Sequence, residues 1–518
     1  MLSSRSARWS TIDAIFWVVL LLSVVDRLFL LDAFGFRYTG DDDGIFWQAA
    51  RDFGHGVFHE PYFYGQAYNP MLEALLAAPL LWLGVPPYIA LPSITSLLAL
   101  LPFWSFALWH RRHGRHLAAI VFVAIPVLLP TEWGIMTMIT RGSVTGVAVL
   151  AAYPWATGIA RVPVRYAMCA FIIGMAVFFN PNAAVFGAAA GVHLLMTAPI
   201  TRRSFAMGVV GFLPAVLMYV GAREFYLQRP WRVVHPLEIG FLNFSEAWVP
   251  AAIFELDKHF LYLCPVWWPN GHVVLWAIAI CAVLLWFKDQ RATAIALLAS
   301  GLTIYTSFNV TKAYDGTISP LFCVARMYLA VPLLLGFALA PLLSRSSIHR
   351  AWPIAITLAC LGFTITKAAR DEMVVQHWIG NQDKLHVAVL ELSLDRLRAE
   401  CGELAAIAAR ERVDLLLPTR SWAAPTARFH CYHCPFLVPD FPKAFGPGMD
   451  RRWWIRQEEQ QLVHPRILAS GGDSLNWQRI VREHPNVHRI PSDDMLLHLI
   501  EDNDLPVHRL LLKLGTEP

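Results

Sequence analysis

The amino-acid sequence predicts a mainly α-helical, polytopic membrane protein with about 11 transmembrane helices and a small α/β domain at its C-terminal end. Of its 518 residues, 56% are hydrophobic and 15% are charged, and the mean hydropathy is +0.46. Soluble globular proteins of this length are far more polar. Apolar runs recur up to residue 367, whereas the residues after it are more polar and numerous enough to form a domain.

Eleven apolar runs are long enough to cross a bilayer, some of them only as short spans. A further run at residues 70–84 is too short for a typical span, which favours a re-entrant or interfacial helix. The eleven runs cover residues 12–31, 88–109, 117–131, 143–160, 164–180, 183–199, 203–222, 270–287, 291–309, 320–343 and 350–367.

The basic residues between these runs predict the orientation, because cytoplasmic loops carry an excess of Lys and Arg. All six basic clusters lie on one side only if residues 70–84 do not cross the membrane. The N-terminus is then cytoplasmic and residues 32–87 form a first external loop. This topology predicts a transmembrane domain at 1–367 and an external domain at 368–518. The clusters are Arg5 with Arg8, residues 110–116, Arg161 with Arg165, Arg202 with Arg203, residues 288–291 and residues 345–350.

Three consecutive carboxylates, Asp41, Asp42 and Asp43, follow the first apolar run and are flanked by glycines. A short amphipathic helix pattern at 45–53 and an aromatic segment at 62–68 come next. An acidic turn, an interfacial helix and an aromatic loop together indicate an active site at the lipid–water boundary. The alternative is a solvated loop whose aspartates cap the following helix and complement its dipole.

Two ionisable residues, Asp26 and Arg27, lie within the first predicted span. Charges inside a membrane are candidates for function, although residues near a helix end also snorkel to the interface. The sequence contains no Walker loop, no Gly-x-Gly-x-x-Gly dinucleotide fingerprint and no His-Glu-x-x-His zinc motif. Enzyme classes that depend on those motifs are therefore not indicated.

The C-terminal region predicts a small α/β domain. Its apolar spacing indicates a helix at about 381–409, followed by strands at 413–418 and 452–456. The segment 430–435 reads His-Cys-Tyr-His-Cys-Pro and has the composition of half a metal site. Because no second Cys or His pair lies nearby at zinc spacing, a local disulfide between Cys431 and Cys434 is favoured over a metal.

These segments resemble the GT-C type glycosyltransferases, the group that includes the protein O-mannosyltransferases and the aminoarabinose transferase of lipid A. Members place an acidic pair after the first span and an Ala-Arg at the end of the next helix; here Asp42 precedes Arg51 by nine residues. The aromatic segment 62–68, the Leu-Glu-Ala at 72–74 and the run 326–332 are similar to further family segments. The chain departs from the family in having three aspartates instead of Asp-Glu, and Met327 interrupts the usual Arg-Tyr-Leu run.

The resemblance implies a donor in which a sugar is linked through phosphate to a polyprenyl lipid, and transfer with inversion at the outer face of a bacterial inner membrane. Asp42 matches the position of the base that accepts the proton of the attacking hydroxyl. Asp43 either orients that base or binds a divalent metal, and Asp41 is the alternative register. The acceptor is a glycan, a lipid or a protein, and nucleic acid is not a predicted partner.

Cations are expected at the departing phosphate, because they stabilise its negative charge. Arg326 is the first candidate, since it lies at the predicted outer end of a span and a guanidinium suits phosphate oxygens; the alternative is a snorkelling arginine. Arg141 and Glu132 in the second external loop are further candidates. The remaining site candidates are Tyr64, Gln66, Tyr68 and Glu73.

A transporter or flippase for lipids or glycans is the competing class. Such proteins commonly contain inverted repeats and helices broken near the bilayer midplane. Neither feature is evident in the sequence, and the strongest acidic cluster lies at the predicted outer surface. These observations favour an enzyme.

Overall fold

The computed structural model describes residues 11–233, 245–310, 324–344, 351–382, 391–418, 427–445, 461–470, 477–492 and 495–514. As predicted, this part of the chain is mainly α-helical. The helices are α1 Thr11–Leu30, α2 Asp43–Gly54, α3 Leu72–Trp82, α4 Pro87–Arg112, α5 His116–Leu128, α6 Thr131–Met136, α7 Thr145–Val149, α8 Tyr153–Thr157, α9 Val162–Phe179, α10 Ala184–Thr197, α11 Arg202–Gln228, α12 Trp248–Phe254, α13 Leu256–Phe260, α14 His272–Phe287, α15 Arg291–Ser307, α16 Val331–Ser344, α17 Ala351–Ala368, α18 Asp371–Gly380, α19 Leu394–Arg410, α20 Ala427–His430, α21 Cys434–Leu437, α22 Trp477–Glu483 and α23 Val507–Leu514.

Two small sheets accompany the helices. The strands are β1 Tyr38–Gly40, β2 Glu391–Ser393, β3 Leu415–Pro418, β4 Ile467–Ser470, β5 Val487–Ile490 and β6 Leu497–Ile500. β1 and β2 form an antiparallel pair in which Gly40 lies opposite Glu391. The other sheet has the order β3-β4-β6-β5, with β3 and β4 parallel and the remaining pairs antiparallel.

Six helical stretches within the described residues are long and apolar enough to cross a membrane. The chain is therefore a multi-pass membrane protein, while the predicted count of eleven spans stays a prediction. α3 has 11 residues, fewer than a typical span needs, and the re-entrant or interfacial assignment of residues 70–84 stays a prediction. The six stretches are Thr11–Gly35, Pro87–Arg112, Val162–Phe179, Arg202–Gln228, Ala325–Leu343 and Ala351–Ala368.

The chain divides into two compact units. The first unit comprises Met1–Phe36, Pro92–Arg223 and Leu237–Val389, and the second comprises Arg37–Leu91, Glu224–Pro236 and Leu390–Pro518. In the first unit, α1 packs against α5 and α17, and α10 packs against α15. The predicted boundary near residue 367 concerns membrane topology and stays a prediction.

The second unit contains the α/β part that the polar C-terminal composition predicted. Strands β3, β4 and β6 are buried along their whole length, so their residues do not alternate between buried and exposed positions. Trp477 and Ile480 of α22 and Val507 and Leu510 of α23 complete its apolar core.

Two details of this region differ from the sequence prediction. The helix expected at about 381–409 begins at Leu394, because residues 391–393 form β2 and the Ser393 hydroxyl caps the helix by accepting from the Arg396 N–H at 3.4 Å. Strand β3 coincides with the strand expected at 413–418. The strand expected at 452–456 lies outside the described residues.

Candidate active site

The acidic turn of the second unit lies between β1 and α2, with all three aspartates half-buried. One carboxylate oxygen of Asp43 accepts from the Gly40 N–H at 2.8 Å and from the Thr39 hydroxyl at 3.4 Å. Asp41 accepts from the Asp42 N–H at 3.1 Å. Asp42 is the N-cap residue of α2, yet its side chain makes no capping hydrogen bond to that helix. The turn is thus closed by Asp41 and Asp43.

Strand β1, which leads into the turn, is held by residues of the C-terminal region. β1 pairs with β2 over three residues, and the Leu394 N–H donates to the Arg37 carbonyl at 2.8 Å. The two strands are more than 350 positions apart in the sequence, and sequence analysis did not find their pairing.

His433 is a second residue at the turn whose role the sequence did not indicate. It is fully buried, and its Nε2 lies 3.1 Å from the Gly40 carbonyl oxygen and 3.2 Å from the Thr39 hydroxyl. Burial lowers the pKa of His433 to about 3, against the opposing effect of hydrogen bonds to the backbone of Gly40 and Phe429. The imidazole is therefore neutral at physiological pH.

The predicted disulfide between Cys431 and Cys434 is wrong. Cys434 is bonded to Cys401 of α19, whose Cα lies 5.4 Å away, and Cys431 is buried and not part of a disulfide. Cys401 lies on the buried face of α19, and that face packs against the segment that carries Cys434. Among the described residues, no group of three or more His, Cys, Asp or Glu side chains could hold a metal ion. A metal partner stays a prediction.

Asp52 of α2 is the centre of a buried polar cluster that links the helix to the aromatic segment. One of its carboxylate oxygens accepts from the Gln48 amide at 2.7 Å, and the other accepts from the Tyr64 hydroxyl at 3.2 Å. His59 lies 3.5 Å from the same carboxylate. Burial, and next the negative charge of Asp52, raise the pKa of Tyr64 well above its ordinary value. The Tyr64 phenol is therefore a neutral donor.

Glu60 anchors the other end of the aromatic segment. It is fully buried and accepts from the Gly65 N–H at 3.1 Å and from the Tyr226 hydroxyl at 3.0 Å. The rings of Tyr62 and Tyr226 stack with their centroids 5.9 Å apart. Asp52 and Glu60 were missed in the sequence because each is a single acid in an otherwise ordinary context.

The remaining second-unit candidates differ in exposure. Gln66 and Tyr68 are half-buried in the aromatic segment, and Glu73 is fully buried on α3. Glu73 therefore lies inside the second unit, whereas Gln66 and Tyr68 remain partly accessible.

The first unit contains the cation candidates. Arg326 lies on a short 3-10 turn, Val324–Tyr328, and is 9% exposed. The Asn182 amide donates both to the Arg326 carbonyl at 3.1 Å and to the Ser143 carbonyl at 2.7 Å. This asparagine joins the Arg326 turn to the segment that follows Arg141, while the role of both arginines stays a prediction. Glu132 is half-buried at the start of α6.

A buried charge cluster in the first unit involves the two intramembrane residues noted in the sequence. Lys367 donates to Asp26 at 2.7 Å, which joins α17 to α1. The Arg27 guanidinium donates to the Gly134 carbonyl at 2.9 Å and to the Thr137 hydroxyl at 3.0 Å. Both side chains therefore have polar partners within the first unit.

The apolar helices long enough to span and the α/β part define a multi-pass membrane protein of mixed architecture. The chain is similar in structure to ArnT from Cupriavidus metallidurans in the apo state, with a TM-score of 0.55 and 14% identity over 98% of this chain and 99% of ArnT. ArnT bound to undecaprenyl phosphate gives a TM-score of 0.53 and 13% identity over 93% of this chain and 98% of ArnT.

ArnT is the lipid A aminoarabinose transferase, a GT-C glycosyltransferase, so the resemblance read from the motifs is confirmed at the level of the fold. At these identities the likeness shows the fold alone. Neither a protein-family model nor a curated protein sequence matches this chain.

Proposed function

We propose that this protein is a glycosyltransferase that moves a sugar from a polyprenyl-phosphate-linked donor to an acceptor at the outer face of the bacterial inner membrane. The observation that carries the proposal is the ArnT-like fold over nearly the whole chain, with one of the similar structures bound to undecaprenyl phosphate. The acidic turn at the family position of the catalytic carboxylate supports it.

The proposed chemistry is a single inverting displacement. The acceptor hydroxyl oxygen attacks the anomeric carbon, its proton passes to the Asp42 carboxylate, and the bond between that carbon and the phosphate oxygen breaks. Polyprenyl phosphate leaves with the electron pair. Asp43, whose carboxylate is held by Gly40 and Thr39, would orient the turn instead of accepting the proton.

The charge on the leaving phosphate requires fixed donors. We assign this role to Arg326, with Arg141 as the second guanidinium, because planar guanidinium groups match phosphate oxygens in pairs. The Asn182 hydrogen bonds support the assignment, since they hold the two arginine-bearing segments of the first unit together. Such preorganised charge lowers the barrier most where water is excluded.

Transfer can be tested with purified protein in lipid nanodiscs and a panel of radiolabelled polyprenyl-phosphate-linked sugars. The products are separated by thin-layer chromatography with glycan, lipid and protein acceptors, and the sugar configuration at the new bond reports inversion. Parallel reactions contain EDTA, because a divalent cation on Asp42 or Asp43 would help neutralise the leaving phosphate. Transfer by the wild-type protein that is lost when all three aspartates are changed to Asn is the expected result.

The same preparation separates the proposal from the flippase alternative. In proteoliposomes, a flippase moves labelled donor between leaflets without consuming it. Movement of intact donor, with no transfer to any acceptor, would contradict the enzyme assignment.

A further inference from the structure

The segment around His433 reaches the acidic turn through direct contacts in the second unit. Its Nε2 lies 3.1 Å from the Gly40 carbonyl oxygen. Because a carbonyl oxygen only accepts hydrogen bonds, Nε2 carries the proton and donates it there. The Thr39 hydroxyl, 3.2 Å from the same nitrogen, in turn donates to Asp43 at 3.4 Å. The Thr39 hydroxyl therefore bridges His433 and the Asp43 carboxylate.

The packing of the His433 ring is as specific as its hydrogen bonds. The ring meets Trp47 of α2 edge-on with centroids 4.7 Å apart, and it contacts Phe429 at 4.8 Å. Gly44, which directly follows the three aspartates, leaves room for the ring: a Cβ on Gly44 would lie 2.5 Å from His433 Cε1. A glycine is therefore needed at position 44 because the His433 ring packs against it, and not because of its backbone conformation.

A covalent bond fixes the segment that carries His433. The next residue, Cys434, is bonded to Cys401 of α19, and both cysteines are fully buried. α19 begins directly after β2, the strand that pairs with β1 ahead of the acidic turn. The disulfide therefore ties α19 to the segment that carries His433. Both β2 and His433 contact β1, the strand that precedes the acidic turn.

We propose that His433, held in place by the Cys401–Cys434 disulfide, is a positioning residue that fixes the acidic turn in its catalytic geometry. This inference rests on the proposed function, and it adds that the external domain supplies part of the active-site framework. Because disulfides form in oxidising compartments, the turn reaches its working geometry only after the C-terminal region has been exported.

The first test measures hydrogen exchange at the acidic turn and does not depend on catalytic activity. Hydrogen exchange of the peptide that covers residues 38–47 is compared in wild type, His433→Ala and His433→Gln. Loss of a buried hydrogen bond should speed exchange about tenfold in His433→Ala. His433→Gln keeps an N–H donor of similar reach and should restore most of the protection. His498→Ala is the matched control, since His498 is also buried but lies on β6 against Trp477.

The second test measures catalysis in the same variants. A misplaced carboxylate should lower kcat about a hundredfold in His433→Ala while the donor KM changes less than about twofold. The pH profile of kcat should keep its shape, because a neutral histidine that only positions the turn contributes no ionisation. Recovery in His433→Gln, and no change in His498→Ala, is expected.

The disulfide is tested with Cys401→Ser, for which Cys431→Ser is the control because Cys431 is a buried thiol in the same segment. Only Cys401→Ser should speed exchange at the turn. Gly44→Ala forces a Cβ into the His433 ring and should therefore speed exchange at the turn as His433→Ala does. This variant tests the same contact if His433→Ala does not fold.

Unchanged exchange at residues 38–47 in both His433→Ala and Gly44→Ala would overturn the inference, as would equal loss of kcat in His498→Ala. If no donor supports transfer by the wild-type protein, the proposed function fails. The exchange data would then still decide whether His433 holds the turn.

Discussion

The three adjacent aspartates have different surroundings, which separates their expected roles. Asp43 receives two hydrogen bonds from the preceding strand and Asp41 receives one from the next backbone amide. Asp42 is the N-cap residue of α2, and its side chain makes no capping hydrogen bond to that helix. Asp42 also occupies the position that the family resemblance assigns to the base, so it remains the proposed base.

Arg326 provides a residue-scale prediction. If its guanidinium holds the donor phosphate, Arg326→Lys keeps the charge but loses the paired geometry, and we expect weaker donor binding or slower transfer, with Arg326→Gln worse. Binding of undecaprenyl phosphate and transfer rate are the measurements. Arg202→Lys serves as the control, because Arg202 is exposed at the start of α11.

A purely anchoring arginine would tolerate lysine, since a flexible ammonium reaches the interface equally well. Normal donor affinity and normal turnover in Arg326→Lys would remove this residue from the proposed site. Arg141 would then be the next arginine to test.

Between elements, buried charges join helices of the first unit. The ion pair between Asp26 and Lys367 connects α1 to α17, and both side chains are largely buried. Lys367 also donates to the Leu129 carbonyl at 3.3 Å, beyond the end of α5. Three elements therefore meet at one ammonium group, and its loss should affect their packing together.

Removing one member of this pair should be costly. We expect Lys367→Met to lower the free energy of unfolding by roughly 3–5 kcal/mol, because an unpaired charge is left buried. The double change Asp26→Leu with Lys367→Met should recover most of the loss. Lys258→Met, which removes a more exposed pair with Glu255, should cost less than about 1 kcal/mol. Equal thermal stability of Lys367→Met and Lys258→Met in detergent would contradict this expectation.

Asp371, at the start of α18, leads us to expect that the stability of the folded protein depends on pH. Burial raises its pKa from 3.8 to about 6, although the Thr131 hydroxyl that donates to it at 2.7 Å acts in the opposite direction. The folded protein thus retains a proton there that the unfolded chain has released. The stabilisation from this proton is complete below the unfolded pKa near 3.8 and is lost as the pH rises through about 6.

Asp371→Asn imitates the protonated carboxyl at every pH. The variant and the wild type should therefore unfold at similar temperatures near pH 4, and the variant should become relatively more stable as the pH rises to 7.5. A difference in Tm that is the same at both ends of this range would show that Asp371 does not titrate as proposed.

The elements also show what the sequence could and could not predict. Local apolar spacing predicted α2, β3 and the C-terminal part of α19, because each pattern is contained within a short stretch of sequence, whereas the start of α19 depends on the pairing of β2 with the distant β1. The contact of His433 with Gly40 joins residues nearly 400 positions apart and has no local signature. The disulfide was misassigned for the same reason: the nearest cysteine in sequence, Cys431, was favoured over Cys401, which the fold brings closer.

For the whole molecule, the topology stays a prediction that needs no substrate to test. Reporters fused after Gly114 and after Ser347 should report the cytoplasm, and a reporter fused after Arg370 should report the outer side. The 11-residue length of α3 favours this arrangement, because a helix of that length is too short for a typical span. An external signal at Gly114 would mean that the segment at 70–84 spans the membrane and that the first-loop architecture is wrong.

The most direct test of the proposed transferase is the release of polyprenyl phosphate from a polyprenyl-phosphate-linked sugar, quantified by mass spectrometry. The wild-type protein should release it in an acceptor-dependent manner. Asp42→Asn, folded and inserted normally, should be at least about a hundredfold slower, the effect expected for loss of a general base. If Asp41→Asn or Asp43→Asn is inactive instead, the base belongs to that neighbour. Normal release by all three variants would contradict the assignment of catalysis to the acidic turn.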